Sequence, residues 1–298
     1  YLSRISFVFF PSEEAMLDAL NAKEIDAIAG ISASGLVGVK RSDVGVVEVA
    51  LPRVFGVFFD QSHNPVLADA SVRAALDAAV DKKAIIAQSL SGHGALLDGP
   101  IPPGILGDVS PTLPVPLKNL NAIATSTQSA TVAQDARAIL QKGGWTWDDK
   151  TNTWTKSPAK GSSGTKTLTF TLATADQPEL VATAHALAAA WKAAGIDVSV
   201  QVYPLAQLNT TIIRPRNYDA LLFGEVVGPE LDLYAFWHSS QRNDPGLNLA
   251  LYANSKTDAL LSQARATTDE QARNKLYGQF ATALIKDDPA IFLYAPDF

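Results

Sequence analysis

Two hydrophobic periods alternate along this chain. Some apolar runs are unbroken and end at Gly, Pro or Asn; in other stretches apolar positions recur every three or four residues. The first run, "RISFVFF" from Arg4 to Phe10, predicts a strand. Ser12, with Glu13 and Glu14 in the first turn and Met16, Leu17 and Leu20 on one face, predicts a capped helix after it. Further strands are predicted around Ile25 to Ile28, in "VGVVEVAL" (44–51) and in "VFGVFFD" (54–60), the last buried on both faces. Asp69 caps a helix carrying Val72, Leu76 and Val80, and Asp81 caps the next. The stretch from Ser91 to Pro116 is dense in Gly and Pro and has no sustained period, so it reads as a long ordered loop.

The second half repeats the alternation. Thr131 to Gln134 fits a capping box for a helix that stops at Gly143-Gly144, and Trp145, Trp147 and Trp154 flank a turn as a small hairpin. The polar "SPAKGSSGTK" reads as a flexible loop. Next come the strand "TLTFTLA", a helix ending at Gly195, and the strand "IDVSVQVY" with Ile196, Val198, Val200 and Val202 on one face. The helix "LAQLNTTII", the strand "YDALLFGEVV" and a helix "LDLYAFWHSS" follow. Ser255 with Asp258 suggests a capping box for another helix, and Glu270 to Lys286 a long amphipathic one, before the closing strand "AIFLYAP". Strands alternating with helices predict an α/β fold on a mixed sheet.

Composition narrows what such a fold can do. The 298 residues suit roughly two domains at about 150 residues each. Net charge is −6, with no clustered basic surface, so no nucleic-acid partner is expected. There is no cysteine, which removes disulfides, thiolate metal sites and cysteine nucleophiles together. The chain opens directly on a strand-like run without a leader pattern. This leaves two readings, an intracellular protein or one whose N-terminal part has been cut away.

Few motifs carry chemistry. His63, His93, His185 and His238 are scattered, with no two paired on one helix, so neither a metal site nor a cofactor is expected; His93, in the long loop, is kept as a ligand contact. No nucleophile elbow, phosphate loop or dinucleotide fingerprint stands between a strand and a helix. Glu225 is the oddity, a carboxylate inside an apolar strand that Gly228-Pro229 stops. It reads as a solvated or capping strand end, as a catalytic acid with Glu230 or Asp232, or as a ligand anchor where open α/β sheets bind ligands. Tyr234 and Trp237 lie one turn apart on the next helix, a spacing that fits core and pocket wall alike.

Several phrases together resemble the family 5 extracellular solute-binding proteins, the peptide- and nickel-binding receptors of ABC importers. "FPSEEAMLDALNAKEIDAI" is similar to the family's Leu-x-x-Gly-Glu-Ile-Asp segment, with Lys23 in place of the Gly. "FGVFFDQSHNPVLADASVRAALDAAVDKKAIIAQSLSGHGALLDGPIPPG" resembles its most recognisable stretch, Val72-Arg73 and Ala75 to Asp81 following the Val-Arg-x-Ala-x-x-x-Ala-x-Asp pattern. "NYDALLFG" and the stretch from Ser255 to Tyr294 resemble its C-terminal part.

The resemblance implies a type II periplasmic-binding-protein fold and a C-terminal part of a longer receptor. Residues 1–55 would be a remnant of the first lobe, 56–60 a hinge-crossing strand, 61–288 the second lobe, and 289–298 a return strand. It further implies a monomeric, non-enzymatic binder of a small peptide or similar polar ligand. Such a receptor works outside the cytoplasm, lipid-anchored in the full-length protein, and delivers to a membrane permease. Its two lobes close on the ligand. Glu225 falls nearest to the acidic residue that pairs with a peptide's α-ammonium in peptide-binding members, and His93, Tyr234 and Trp237 complete the expected ligand contacts. This sequence departs from that pattern in having Glu for the usual Asp, Val226 where an aromatic is common, and no Asp-Pro pair. The rival readings are a sensory domain of the same fold fused to a regulator, and a carboxylate-based hydrolase.

Overall fold

Arg53–Phe59 (β1) is apolar from Val54 onward, and in a computed structural model of the chain it runs through the centre of a six-stranded mixed sheet. The described residues are 3–32, 35–45, 51–106, 126–158, 164–228 and 231–297, with backbone alone for 126–130. Sheet order is β2 (Gly94–Leu96), β9 (Ala290–Pro296), β1, β8 (Ala220–Val226), β6 (Thr169–Ala175) and β7 (Asp197–Tyr203). β1 lies antiparallel to both β8 and β9, whereas β6 runs parallel to β7 and β8. The crossover helix between β6 and β7 is α5 (Pro178–Ala193), ended by Gly195 at a φ of 84°.

Residues facing one another across β1 and β8 share a sheet face, and the faces alternate along each strand. Arg53, Phe55 and Val57, with Gly224 and Leu222, therefore look one way; Val54, Gly56 and Phe58, with Glu225 and Leu221, look the other. The first face is covered by α3 (Lys82–Ser89) and α5, and α2 (Ala70–Ala78) joins that layer. Trp191 of α5 donates its indole N–H to Leu76 O at 2.9 Å. The second face carries α7 (Tyr234–Trp237), whose Trp237 packs on Phe58 and Phe292. The paired helices α8 (Ser255–Ala266) and α9 (Glu270–Asp287) continue from it. Buried Arg73 holds the start of α2 to the end of α9, its guanidinium donating to Leu67 O, Asp287 O and Asp288 O.

Most predicted elements are present, and the caps at Ser12, Asp69, Asp81 and Asp269 accept backbone N–H bonds as their types favour. The hairpin of three tryptophans is β3 (Thr146–Asp148) with β4 (Thr153–Lys156), to which β5 (Lys166–Thr167) adds a third strand.

Several expectations are corrected. "RISFVFF" forms no strand: it has no ladder partner among the described residues, and Phe7 and Phe9 are 83% and 94% exposed. Ile25 to Ile28 is irregular backbone. α4 (Ser126–Lys142) begins five residues before the expected box, so Thr131 lies inside the helix. α8 is capped by Asn254, while Asp258 instead accepts from Ser239 N and Oγ, a tertiary contact that local sequence does not reveal. "LDLYAFWHSS" makes only one α turn, and "LAQLNTTII" is a short α piece, α6 (Leu205–Gln207), followed by a π-helical turn. The core of the strand predicted at 44–51, part of the long loop, "AKGSS" (159–163) and Glu230 lie outside the described residues.

Candidate functional site

The carboxyl ends of the parallel strands β6, β7 and β8 meet the start of β1 and the end of β9 at one edge of the sheet, where open α/β sheets receive ligands. A cavity of about 430 Å³ opens there, within the range of about 300–1,000 Å³ usual for small-molecule sites. Its floor is aromatic. Phe55 and Tyr294 stack with centroids 5.4 Å apart and planes 20° from parallel. Gly224 lets the Phe55 ring lie on bare backbone, since a Cβ there would stand 2.6 Å from the ring. The Tyr294 hydroxyl is 3.2 Å from Thr183 Oγ1, which ties the floor to α5, and burial pushes its pKa up to about 12.

One wall comes from the N-terminal segment. Helix α1 (Glu13–Asn21) presents Glu13, whose carboxylate accepts from Ser32 N at 3.0 Å and Ser32 Oγ at 2.7 Å; Asn21 donates to Gly38 O and accepts from Lys40 N. These bonds set Ile31, Ser32 and Leu36 along the cavity. The opposite wall is Leu90 and His93 after α3, Gln177, Glu179 and Leu180 at the start of α5, and Leu205 after β7. Charge is sparse and of both signs: Arg53 against Glu179 and Asp297. The oxygen of the Gln177 side chain is buried without a hydrogen-bond partner, leaving an acceptor at the cavity.

Residues 1–245 match the family described as bacterial extracellular solute-binding proteins, family 5. The chain belongs to this family. It is 25% identical, over 304 aligned residues, to the oligopeptide-binding protein AppA of Bacillus subtilis, covering all of this chain and 51% of that protein. It is 30% identical over 237 residues to protein XP55 of Streptomyces lividans, covering 78% of this chain and 38% of that one. Among solved structures, AppA of Bacillus subtilis in complex with a nonapeptide superposes with a TM-score of 0.76 at 25% identity, over 97% of this chain and 53% of that one. The NikZ structure from Campylobacter jejuni with Ni(L-His) shares the fold, with a TM-score of 0.71 at 24% identity. The chain spans about half the length of the curated relatives it matches.

Within this family-5 fold the four residues singled out from sequence are dispersed. His93 lines the cavity. Glu225 is 3% exposed, on the sheet face opposite Gly224, with both carboxyl oxygens buried and unpartnered; burial raises its pKa well above the ordinary value. Trp237 is wholly buried on that same face, and its indole N–H also lacks a partner. Tyr234 is half-buried away from the cavity, stacked on His238 with the Arg265 guanidinium 4.5 Å from its ring. Asp232, weighed as a catalytic partner of Glu225, takes an ion pair from Arg265 at 2.7 Å.

Sequence reasoning passed over Arg53, Phe55, Gly224, Glu179, Tyr294 and Asp297. Two signals were present: a Gly inside an apolar strand, which marks close approach of another group, and a lone cation opening an otherwise apolar strand. Tyr294 and Asp297 carry no such mark, because their place beside β1 follows from pairing across more than two hundred residues.

Proposed function

We propose that this chain is the second lobe, with a piece of the first, of an extracytoplasmic receptor that binds a short peptide and delivers it to the permease of an ABC importer. Residues 1–55 belong to the first lobe in this reading, 56–60 cross the hinge, 61–288 form the second lobe, and 289–298 return. The carrying observation is the cavity, whose walls come from Ile31, Ser32 and Leu36 on one side and from the sheet end with α3 and α5 on the other. A ligand bridging such walls favours their closure, and the closed form is then what a transporter distinguishes from the empty one. The peptide-binding relatives support the ligand class, and membership of an extracellular family supports the compartment; a lipid anchor on the full-length protein is part of the same proposal.

Affinity in this reading comes from apolar burial at the cavity and from charge pairing at a ligand terminus, with no covalent step. The test is isothermal calorimetry of the full-length protein against di- to hexapeptides. Micromolar or tighter binding is expected for a subset, and absence of heat across the set overturns the peptide reading.

A further inference from the structure

At the end of β1 remote from the cavity, about 20 Å away along a seven-residue strand, lies a second, polar pocket of about 540 Å³. Three cations line it, each from a different element: Arg73 of α2, Arg242 of the loop between α7 and α8, and Lys286 of α9. None of the three has an ion pair among the described residues. The one carboxylate on the wall, among the described residues, is Asp287, and one of its oxygens already accepts from the Tyr252 hydroxyl and from Asn254 Nδ2. Lys256, on a neighbouring hollow that shares Lys286 and Asp287, adds to the positive field.

Arg73 is the decisive member. It is only 6% exposed, and burial lowers its pKa by working against its charge. Its guanidinium gives one bond each to Leu67 O, Asp287 O and Asp288 O. A guanidinium has five N–H donors, so two are left, one on each terminal nitrogen. Carbonyls solvate this cation, but none carries the charge that would neutralise it, and a buried charge without a counter-ion is costly.

We infer that the pocket is a binding site separate from the cavity, and that it holds a doubly charged phosphate group, free or carried as a monoester on a small polar molecule. Three cations and Asp287 leave a net of two positive charges, which such a dianion matches. A planar carboxylate fills one guanidinium fork, whereas a tetrahedral phosphate presents oxygens to donors arriving from α2, α9 and the loop together. The inference goes beyond the peptide reading and does not depend on it.

The test is calorimetry of the full-length protein at pH 8 and low ionic strength with inorganic phosphate, glycerol 3-phosphate and succinate. It is run on the natural protein, on Arg242→Gln with Lys286→Gln, and on Lys142→Gln with Lys166→Gln, which removes the same charge from exposed positions outside the pocket. Thermal melts check folding. Inorganic phosphate or glycerol 3-phosphate is expected to bind with a Kd of about 1 mM or tighter, and succinate at least about tenfold more weakly. The first double variant should lose phosphate affinity at least about tenfold at unchanged melting temperature, and the second should stay within about twofold. Tighter binding of glycerol 3-phosphate would assign a carried phosphate, and equal or weaker binding a free one. No heat from either phosphate compound in the natural protein overturns the inference, and succinate binding as tightly as phosphate overturns its chemical class. An equal loss in both double variants overturns it too, since diffuse charge would then explain the binding. Peptide titrations of the same samples report on the cavity alone, so failure here leaves the peptide reading standing.

Discussion

A carboxyl buried without a partner stays protonated in the folded chain or destabilises it, and Glu225 is such a group. Its folded pKa is raised, so the folded state keeps a proton that the unfolded chain releases above about 4.5. Stability is then greatest below that value and declines as pH rises toward the folded pKa. Glu225→Gln removes the titration, so its melting temperature should gain on the natural chain between pH 5 and pH 8. Glu225→Leu, which also removes the unpartnered oxygens, should add about 1–3 kcal/mol at pH 8 in urea unfolding. A variant that loses ground as pH rises would show the carboxylate paired and ionised. Because Glu225 faces away from the cavity, Glu225→Gln should leave peptide affinity within about twofold; a loss confined to peptides with a free α-ammonium would restore the anchoring role. At the floor, Gly224→Ala drives a Cβ into the Phe55 ring and should cost about tenfold in the affinity of a peptide that binds the natural protein, read by calorimetry.

At the scale of elements, Asp69 shows how a cap becomes a tertiary clamp. One carboxylate oxygen accepts from Ser71 N and Oγ at the start of α2. The other accepts from Lys156 Nζ at 2.6 Å and Trp145 Nε1 at 3.2 Å, joining the small sheet to the helix layer. Burial works to raise its pKa, but the bonds from Lys156 and Ser71 outweigh this and hold it low. A depressed carboxylate pKa stabilises the fold at pH above the unfolded value near 3.8 and ceases to do so as pH falls through the folded one. Asp69→Ala should therefore cost about 2 kcal/mol at pH 7, combining a lost cap with a stranded indole N–H, and appreciably less at pH 3, by urea unfolding. The cap itself was legible in the sequence. The clamp was not, since Lys156 lies 87 residues away.

Elements whose stability is local were the legible ones. Helices opened by Ser12, Asp69 and Asp81 begin where those side chains meet free N–H groups, a chemistry confined to four residues. The strand predicted at "RISFVFF" failed for the complementary reason: a strand exists only beside another strand, and apolar periodicity says nothing of whether a partner is present. Glu225 and Trp237 were attractive from sequence because a carboxylate and an aromatic near a strand end suit a binding site. Which face each occupies is set by the pairing of β8 with β1, and that turned both to the far side of the sheet.

At the scale of the molecule, the exposed run Ile5, Phe7, Val8 and Phe9 stands out among the described residues, whose other aromatics are buried or half-buried apart from Trp147. In the proposed receptor these residues pair with the remainder of the first lobe. Phe7→Ser with Phe9→Ser should then leave the melting temperature of the 298-residue chain unchanged and lower that of the full-length protein by several degrees, measured by scanning calorimetry. A matching fall in both would show that the run already packs within this chain. Lobe closure is expected to reduce the radius of gyration of the full-length receptor on adding a binding peptide, measured by small-angle scattering; an unchanged radius would point to a site that does not bridge the lobes.

The sequence alone determined the alternation of strands and helices, the caps at Ser12, Asp69 and Asp81, the buried strand near 54–60 and, through its ordered phrases, the family resemblance. These are properties of neighbouring residues, fixed by backbone hydrogen bonding and by the periods of apolar side chains. Only the tertiary structure decided which residues meet at the cavity. Arg53, Gly224 and Tyr294 come from strands far apart in the chain, and one residue of register separates the face that holds the aromatic floor from the face that hides Glu225.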